Sequence, residues 1–212
     1  MLTKSQLESL ARVAKDYHKA LSAEAIAYLV ARGISKEAAE HAQLGQITGD
    51  YAPHSSYAGW LSIPYIVVGE GVVGFKFRRL GDGNPKYGAP ANQKSHLYNV
   101  RDLEEESDVL VICEGEFDTL IVSQVLKVPA VGCPGVASWK QHFGKMVIGY
   151  DRVLIVGDND DKADGTNPGQ DFARRVAQEV PNSQIVQLPS GMDITDCYLT
   201  EGPDKLRERL GL

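Results

Sequence analysis

Hydrophobic spacing in the first 45 residues is that of amphipathic helices. The spacing predicts three of them, over residues 7–21, 22–32 and 35–44. Ser5 and Glu8 match a capping box before the first helix, and Gly33 is placed to end the second. This part of the chain is therefore predicted to be helical.

Between residues 61 and 80 the pattern changes to a period of two, which predicts a β-hairpin with its turn at residues 69–71. In the second strand apolar and cationic positions alternate, with Val73, Phe75 and Phe77 on one face and Gly74, Lys76 and Arg78 on the other. Lys86 follows on a loop rich in glycine and proline. The hairpin is predicted to bury one face and to offer cations on the other.

From residue 108 onward, short apolar runs alternate with helical segments. The predicted strands are VLVIC, PAVGC, RVLIVGD and QIVQL. Strands that alternate with helices indicate a parallel α/β sheet. The charged segment at residues 101–108 separates the two patterns, so we predict an N-terminal domain over residues 1–105 and a C-terminal domain over residues 106–212. The predicted fold class is α/β, with an α+β N-terminal half.

The net charge of −6 is unevenly distributed along the chain. Residues 74–101 carry six lysine and arginine residues against one acid, Asp82, which gives them a net charge of +5 and leaves −11 for the rest. Segregation of this kind favours local binding of phosphate groups. A solvated basic surface would give the same composition and stays an alternative.

Composition narrows the class of protein. No window approaches the roughly 18 apolar residues that a membrane-spanning helix needs, and the polar N-terminus does not match a signal peptide. Cys113, Cys133 and Cys197 form no CxxC pair, which excludes a zinc ribbon and disfavours a disulfide framework. We expect an intracellular protein with no zinc and no membrane partner.

Acidic residues follow three of the four predicted parallel strands. They are Glu114, Glu116 and Asp118 after the first strand, Asp158 and Asp160 after the third, and Asp193 and Asp196 after the fourth. Functional groups of parallel sheets gather at the carboxyl ends of the strands, so we expect these carboxylates to converge if the strands are neighbours. Their repulsion would require cations, and oxygen ligands at this density suit Mg²⁺ or Mn²⁺.

Two other interpretations of the acids stay open from the residues alone. Glu114 could act as a general acid or base. Asp118 could stabilise a helix N-terminus and Asp158 a turn, and Asp161 and Asp164 could be solvated loop residues.

The acidic segments resemble the Toprim domain. The resemblance rests on EGEFD at residues 114–118, Asp-x-Asp at 158–160 and GMDITDCYL at 191–199, in that order. Toprim domains occur in bacterial-type primases, type IA and type II topoisomerases, and some nucleases and recombination proteins. The form seen here is similar to that of phage primase-helicases, and Gly115 matches the glycine that lets the motif turn.

The upstream half resembles the rest of a bacterial or phage primase catalytic core. Residues 25–45 are similar to its opening helices, and residues 61–87 to its hairpin and basic loop. This resemblance implies a parallel-sheet Toprim domain preceded by a helical and β-hairpin primase subdomain. The implied activity is synthesis of short RNA primers on single-stranded DNA by metal-dependent nucleotidyl transfer, in the cytoplasm of a bacterium or a phage-infected host.

The resemblance also implies residue roles. Glu114, Asp158 and Asp160 would be catalytic, and two Mg²⁺ or Mn²⁺ ions would be held by Glu114, Asp118, Asp158, Asp160 and Asp193. Lys76, Arg78 and Lys86 would contact the phosphates of ribonucleoside triphosphates or the template.

Three features depart from the family pattern. Met192 stands where the family often has a lysine before the aspartate of the third motif, and the loop after Asp160 is longer than usual. Neither an N-terminal zinc module nor a P-loop GxxxxGK[ST] is visible in the sequence. A zinc-module chain or a helicase is therefore expected to act as a separate partner.

Other Toprim functions are the alternatives. A metal-dependent nuclease would use water as the nucleophile, but it would not need the basic upstream half. A non-enzymatic recombination mediator usually carries a zinc motif or a helix-hairpin-helix, and neither is visible. A topoisomerase is disfavoured because the chain is short and no tyrosine lies in a recognisable strand-cleaving context.

Overall fold

The computed structural model describes residues 2–135 and 137–212, without the side chain of Ala52. The chain divides into two compact units, residues 1–94 and 95–212. Each unit contains a four-stranded sheet, antiparallel in the first and parallel in the second. Within the described residues, no helix is both long enough and apolar enough to cross a membrane.

The three predicted N-terminal helices are confirmed. They are α1 (Lys4–Lys19), α2 (Ala23–Ala31) and α3 (Lys36–His41). The capping box of α1 is formed by Thr3 and Gln6, so the assignment of Ser5 and Glu8 is wrong. Thr-x-x-Gln is the same type of pattern two residues earlier, and its use lets the helix begin at Lys4 and places Ser5 inside the first turn.

The predicted hairpin is also confirmed and lies inside a larger sheet. The strand order is β1 (Gly45–Gln46), β2 (Leu61–Val67), β3 (Gly71–Arg78) and β4 (Tyr87–Gly88). The pairing shifts between Tyr65, which faces Gly74, and Ile66, which faces Val72. Val73 is thus an extra residue in β3. It is buried, but Val72 is the valine in the core cluster that contains Phe75 and Phe77.

Helix α1 packs on this sheet through an aromatic core. Tyr17 is fully buried against Phe75, and its hydroxyl forms a 3.0 Å hydrogen bond with Nδ1 of His54. Burial raises the pKa of Tyr17 to about 12 and lowers the pKa of His54. Both side chains are therefore neutral near pH 7, as a buried and mostly apolar site requires.

The second unit has the parallel α/β fold that the strand–helix alternation predicts. The sheet order is β6 (Ala130–Gly132), β5 (Val109–Cys113), β7 (Arg152–Val156) and β8 (Ser183–Ile185). The helices are α4 (Glu116–Leu120, continued by a π-helical turn, Ile121–Val125), α5 (Gln141–Met146), α6 (Pro168–Glu179), α7 (Ile194–Glu201) and α8 (Pro203–Leu210). Strands β5 and β7 are central, and their buried residues are almost all apolar.

Residues 95–105 belong to the second unit, whereas the charge pattern assigned them to the N-terminal domain. Tyr98 exchanges backbone hydrogen bonds with Gly132, and the Asn99 side chain donates to the carbonyl of Ala130 at 3.0 Å. Asp102 is buried and accepts a 3.0 Å bond from the Ala130 amide. These bonds attach Tyr98, Asn99 and Asp102 to β6, so this part of the segment is not a free linker.

Two glycines allow helix α6 to approach the end of β7. A Cβ atom on Gly169 would lie 2.2 Å from the carbonyl oxygen of Asp158, and one on Gly157 would lie 2.2 Å from the carbonyl oxygen of Gly169. The neighbouring atoms are backbone and cannot rotate away. The distance between the first turn of α6 and Asp158 is therefore set by the absence of both side chains.

We predict that Gly169→Ala destabilises the protein even though alanine favours helices. The new methyl group must push α6 or Asp158 aside, and overpacking of this kind costs about 1–3 kcal/mol. Urea or thermal unfolding measures the change. Gly149→Ala is the matched control, because a Cβ there meets nothing within 4 Å; equal stability of the two variants would contradict the prediction.

Candidate metal centre and basic face

The strand order places two predicted metal ligands side by side. Cys113 at the end of β5 pairs in register with Val156 at the end of β7, so Glu114 and Asp158 follow neighbouring strand ends. Oε2 of Glu114 accepts a 3.0 Å hydrogen bond from the Asp158 amide. The side chain of Glu114 is thus held against the turn that carries Asp158.

Asp158 is a partly buried acid whose pKa is strongly raised. Burial is the largest cause that raises the pKa of Asp158 from 3.8 to about 8. Four negative charges raise it in the same direction, those of Asp118, Glu114, Asp193 and Asp160. The other four predicted metal ligands are therefore close enough to Asp158 to act on it electrostatically.

Asp118 lies in the first turn of α4 and is bound by the first turn of α7. Its Oδ1 accepts hydrogen bonds from both the amide and the hydroxyl of Thr195, at 2.9 and 2.7 Å. Thr195 is fully buried and joins the first and third acidic motifs. The sequence analysis missed Thr195 and helix α7, although the Asp-Ile-Thr-Asp segment has the residue types typical of a helix start.

Asp193 is the N-cap of α7 and accepts a 2.6 Å hydrogen bond from the Asp196 amide. The loop before it is held to the end of β7 by Asn159. The buried side chain of Asn159 donates to the carbonyl of Leu188 at 2.6 Å, and its backbone exchanges bonds with Gly191 and Met192. Asn159 thus keeps the third acidic motif beside the second.

The acids of the loop after β7 make contacts within that loop. Asp160 is about half exposed, and its Oδ2 lies 4.0 Å from Nζ of Lys162. Asp161 accepts a bond from Asn167 at 3.1 Å, and Asp164 accepts two bonds from Thr166. Hydrogen bonds from Thr166 lower the pKa of Asp164. These contacts support the loop interpretation for Asp161 and Asp164.

The five carboxylates have the donor atoms and the negative charge that suit a divalent cation. Oxygen donors are preferred by Mg²⁺ and Mn²⁺. Burial and four neighbouring negative charges raise the pKa of Asp158, so added positive charge would favour its ionised form. Among the residues described, no three His, Cys, Asp or Glu side chains stand close enough to enclose an ion. Binding would therefore require these side chains to move toward the ion.

In the first unit, Arg78 is buried, contrary to the solvent-facing position that strand alternation predicts. Its guanidinium donates hydrogen bonds to the hydroxyls of Tyr28 and Tyr87 and lies 4.9 Å from the Tyr87 ring centroid. Only 4% of the residue is exposed because the two tyrosines cover it. The expectation that Arg78 is offered to solvent is thus corrected, while its role in binding stays a prediction.

Lys76 and Lys86 are the more accessible cations of this basic face, which we define as Lys76, Arg78, Lys86 and Tyr87. Lys76 is partly exposed, with its ammonium 4.5 Å from the Tyr87 ring centroid, and Lys86 is exposed. Tyr87 therefore contacts both Lys76 and Arg78. Cations interleaved with an aromatic ring are suited to phosphates and bases of nucleic acids.

Comparisons with known proteins agree with this geometry. Residues 109–204 match the family model of the Toprim domain. The gene 57 protein of Mycobacterium phage D29 is 38% identical over 158 residues, which are 73% of this chain and 99% of the phage protein. The DNA primase of Pseudomonas aeruginosa is 27% identical over 154 residues, which are 66% of this chain and 22% of that primase, so the chain spans about a fifth of its length.

Solved primase structures share the fold over the whole chain. The zinc-binding and RNA polymerase domains of Aquifex aeolicus primase match with a TM-score of 0.80 at 20% identity, over 99% of this chain and 62% of that one. The DnaG primase catalytic domain bound to single-stranded DNA matches with a TM-score of 0.78 at 19% identity, over 98% of this chain and 81% of that one. The predicted fold class is thereby confirmed. The chain belongs to the family of the phage D29 gene 57 protein and combines a Toprim domain with the fold of a bacterial and phage-type primase catalytic core.

Proposed function

We propose that this protein is a DNA primase catalytic core that makes short RNA primers on single-stranded DNA. The observation that carries the proposal is the convergence of five carboxylates at the carboxyl edge of a Toprim sheet, in a chain with the fold of a primase core. The sequence similarity to a bacterial DNA primase supports it. Single-stranded DNA bound to a protein of the same fold supports a DNA template.

The proposed cofactors are two Mg²⁺ or Mn²⁺ ions, held by Glu114, Asp118, Asp158, Asp160 and Asp193. When bound, such ions neutralise phosphate charge and lower the pKa of an attacking hydroxyl. The reaction is attack of the primer 3′-hydroxyl on the α-phosphorus of a ribonucleoside triphosphate, with loss of pyrophosphate. The enzyme class is that of a DNA-directed RNA polymerase, a nucleotidyltransferase.

The contribution of the chain is to position charged oxygens. Glu114 is hydrogen-bonded to the Asp158 amide and Asp118 to Thr195, so both carboxylates are kept beside the strand ends before substrate arrives. Asp158 holds a proton on its carboxyl group near neutral pH, and it must release this proton to become a ligand. Charge neutralisation and positioning then account for the catalysis.

The basic face is proposed to contact the phosphates of nucleotide or template. Lys76 and Lys86 can donate directly because their side chains reach solvent. Arg78 is buried and donates a hydrogen bond to the Tyr87 hydroxyl, so its proposed role is to position Tyr87 within the basic face. A separate helicase or zinc-module chain as partner, and a cytoplasmic location, remain predictions from the sequence.

Primer synthesis on single-stranded templates, with labelled ribonucleotides and Mg²⁺ or Mn²⁺, tests the proposal. We expect Asp158→Ala to lower the rate by at least about 10²-fold, the effect of removing one group that stabilises a transition state. Asp171→Ala is the control, since Asp171 is exposed on α6 and pairs with Arg174. Cleavage of the template without primer synthesis would instead identify a Toprim nuclease.

We expect Asp158→Asn to remove the contribution of Asp158 to the pH dependence of metal-free stability. In the folded wild type the carboxyl keeps its proton up to about pH 8, whereas the unfolded chain loses it near pH 4. The free energy of unfolding therefore falls as the pH rises between these values, by about 1.4 kcal/mol per pKa unit at most. Asparagine mimics the protonated form and removes this loss.

Thermal unfolding from pH 5 to pH 8, with and without Mg²⁺, measures this effect. At pH 8 without metal the Asp158→Asn protein should melt above wild type, and Mg²⁺ should raise the melting temperature of wild type more than that of the variant. A variant that melts below wild type at pH 8 would show that the Asp158 charge is stabilised within the protein.

The salt dependence of single-stranded DNA binding tests the basic face. Each phosphate contact on a single strand contributes about −0.7 to the slope of log K against log salt. We expect Lys76→Ala and Lys86→Ala each to flatten the slope by about this amount. Lys4→Ala is the control, because the Lys4 side chain is 92% exposed on α1. If both variants have the wild-type slope, Lys76 and Lys86 do not contact the phosphates of bound DNA.

A further inference from the structure

We propose that Lys162 is a phosphate-binding residue of the acidic site, which exchanges Asp160 for the triphosphate of the incoming nucleotide. The inference rests on the proposed function and adds a cation to the five carboxylates. It is carried by the loop that follows Asp160 and by the ion pair that this loop makes.

The loop is closed by its own hydrogen bonds. The Lys162 amide donates to the Thr166 carbonyl at 2.8 Å, and the Gly165 amide donates to the Lys162 carbonyl at 2.9 Å. Oδ1 of Asp164 accepts hydrogen bonds from both the amide and the hydroxyl of Thr166. The backbone of Lys162 therefore lies in a tight turn and not in an extended segment.

The base of the loop is attached to the acidic site. Nδ2 of Asn167 donates to Oδ1 of Asn159 at 2.9 Å and to Oδ1 of Asp161 at 3.1 Å. Asn159 is buried directly after Asp158, and Asn167 also caps helix α6. These bonds hold both ends of the loop beside Asp158. Lys162, which lies in this loop, is therefore kept at the edge of the acidic site.

The contact of Lys162 is weak enough to be exchanged. Its Nζ lies 4.0 Å from Oδ2 of Asp160, and the two side chains are 53% and 54% exposed. An exposed pair of this kind contributes little to stability. Lysine has a flexible stem and a compact charge, which suits it to change partners and to bind phosphate as a point charge.

The excess of negative charge in the site favours the movement of Lys162 from Asp160 to phosphate. Two divalent ions would not neutralise five carboxylates together with a nucleoside triphosphate, and Met192 adds no charge. An ammonium group at the rim reduces the remaining repulsion. If Asp160 served as a ligand of a bound ion, Lys162 would lose this partner and its ammonium would be available to phosphate oxygens.

Binding measurements on Lys162→Ala and Lys162→Arg test the inference, with Lys145→Ala on helix α5 as an exposed matched control. We expect Lys162→Ala to bind Mn²⁺ without nucleotide as tightly as wild type or up to about fivefold tighter, since a competing cation is removed. Its affinity for a ribonucleoside triphosphate in Mg²⁺ should fall by about tenfold or more. Lys162→Arg should restore most of this loss, and a nucleoside monophosphate should show a smaller one.

The outcomes separate this inference from the proposed function. Triphosphate binding that Lys162→Ala leaves unchanged, or lowers only as much as Lys145→Ala, overturns the role of Lys162 alone. Weaker Mn²⁺ binding by Lys162→Ala also overturns it, because the lysine would then support the metal ligands. A wild-type protein that binds neither Mn²⁺ nor triphosphate would overturn the proposed function as well.

Discussion

Repulsion among five carboxylates at one edge of a parallel sheet is the constraint on which the C-terminal unit depends. The parallel order brings Glu114 and Asp158 to neighbouring strand ends, where burial and then the negative charges of the other acids raise the pKa of Asp158. The surrounding elements hold these acids where they would otherwise separate. The Asp158 amide binds Glu114, Thr195 binds Asp118, and Asn159 holds the loop that leads to Asp193.

The packing of the unit serves the same purpose. Gly157 and Gly169 bring α6 within contact distance of Asp158, and Gly169 leaves no space for a methyl group beside Glu114. Contacts of this tightness hold in place the backbone at Asp158 and the first turn of α6, so the movement that an ion requires is left to the side chains. The site and the fold of this unit therefore share the same backbone contacts.

The sequence was sufficient where the signal is local or repeats regularly. The apolar runs at VLVIC and RVLIVGD predict strands of a parallel sheet, and the structure shows that these two strands are neighbours whose ends carry Glu114 and Asp158. Contacts distant in sequence were not predictable in this way. Thr195 meets Asp118 across 77 positions, and Arg78 is covered by Tyr28 across 50 positions. Period-two spacing also could not show that Val73 is an extra residue in its strand, because a bulge changes the face of a residue without changing its type.

A comparison of Asp158 with Asp164 separates the structural from the functional interpretation of the acids. Asp164 is exposed, and its pKa is lowered because Thr166 hydrogen-bonds the ionised form. That is the behaviour of a carboxylate that stabilises a loop. The pKa of Asp158 is raised instead, by burial and by like charges, so its ionised form destabilises the metal-free fold. A residue that only caps a turn would have no physical reason to sit where its charge opposes folding. The loss of stability caused by ionised Asp158 is explained if a bound cation neutralises its charge, as a metal-dependent site requires.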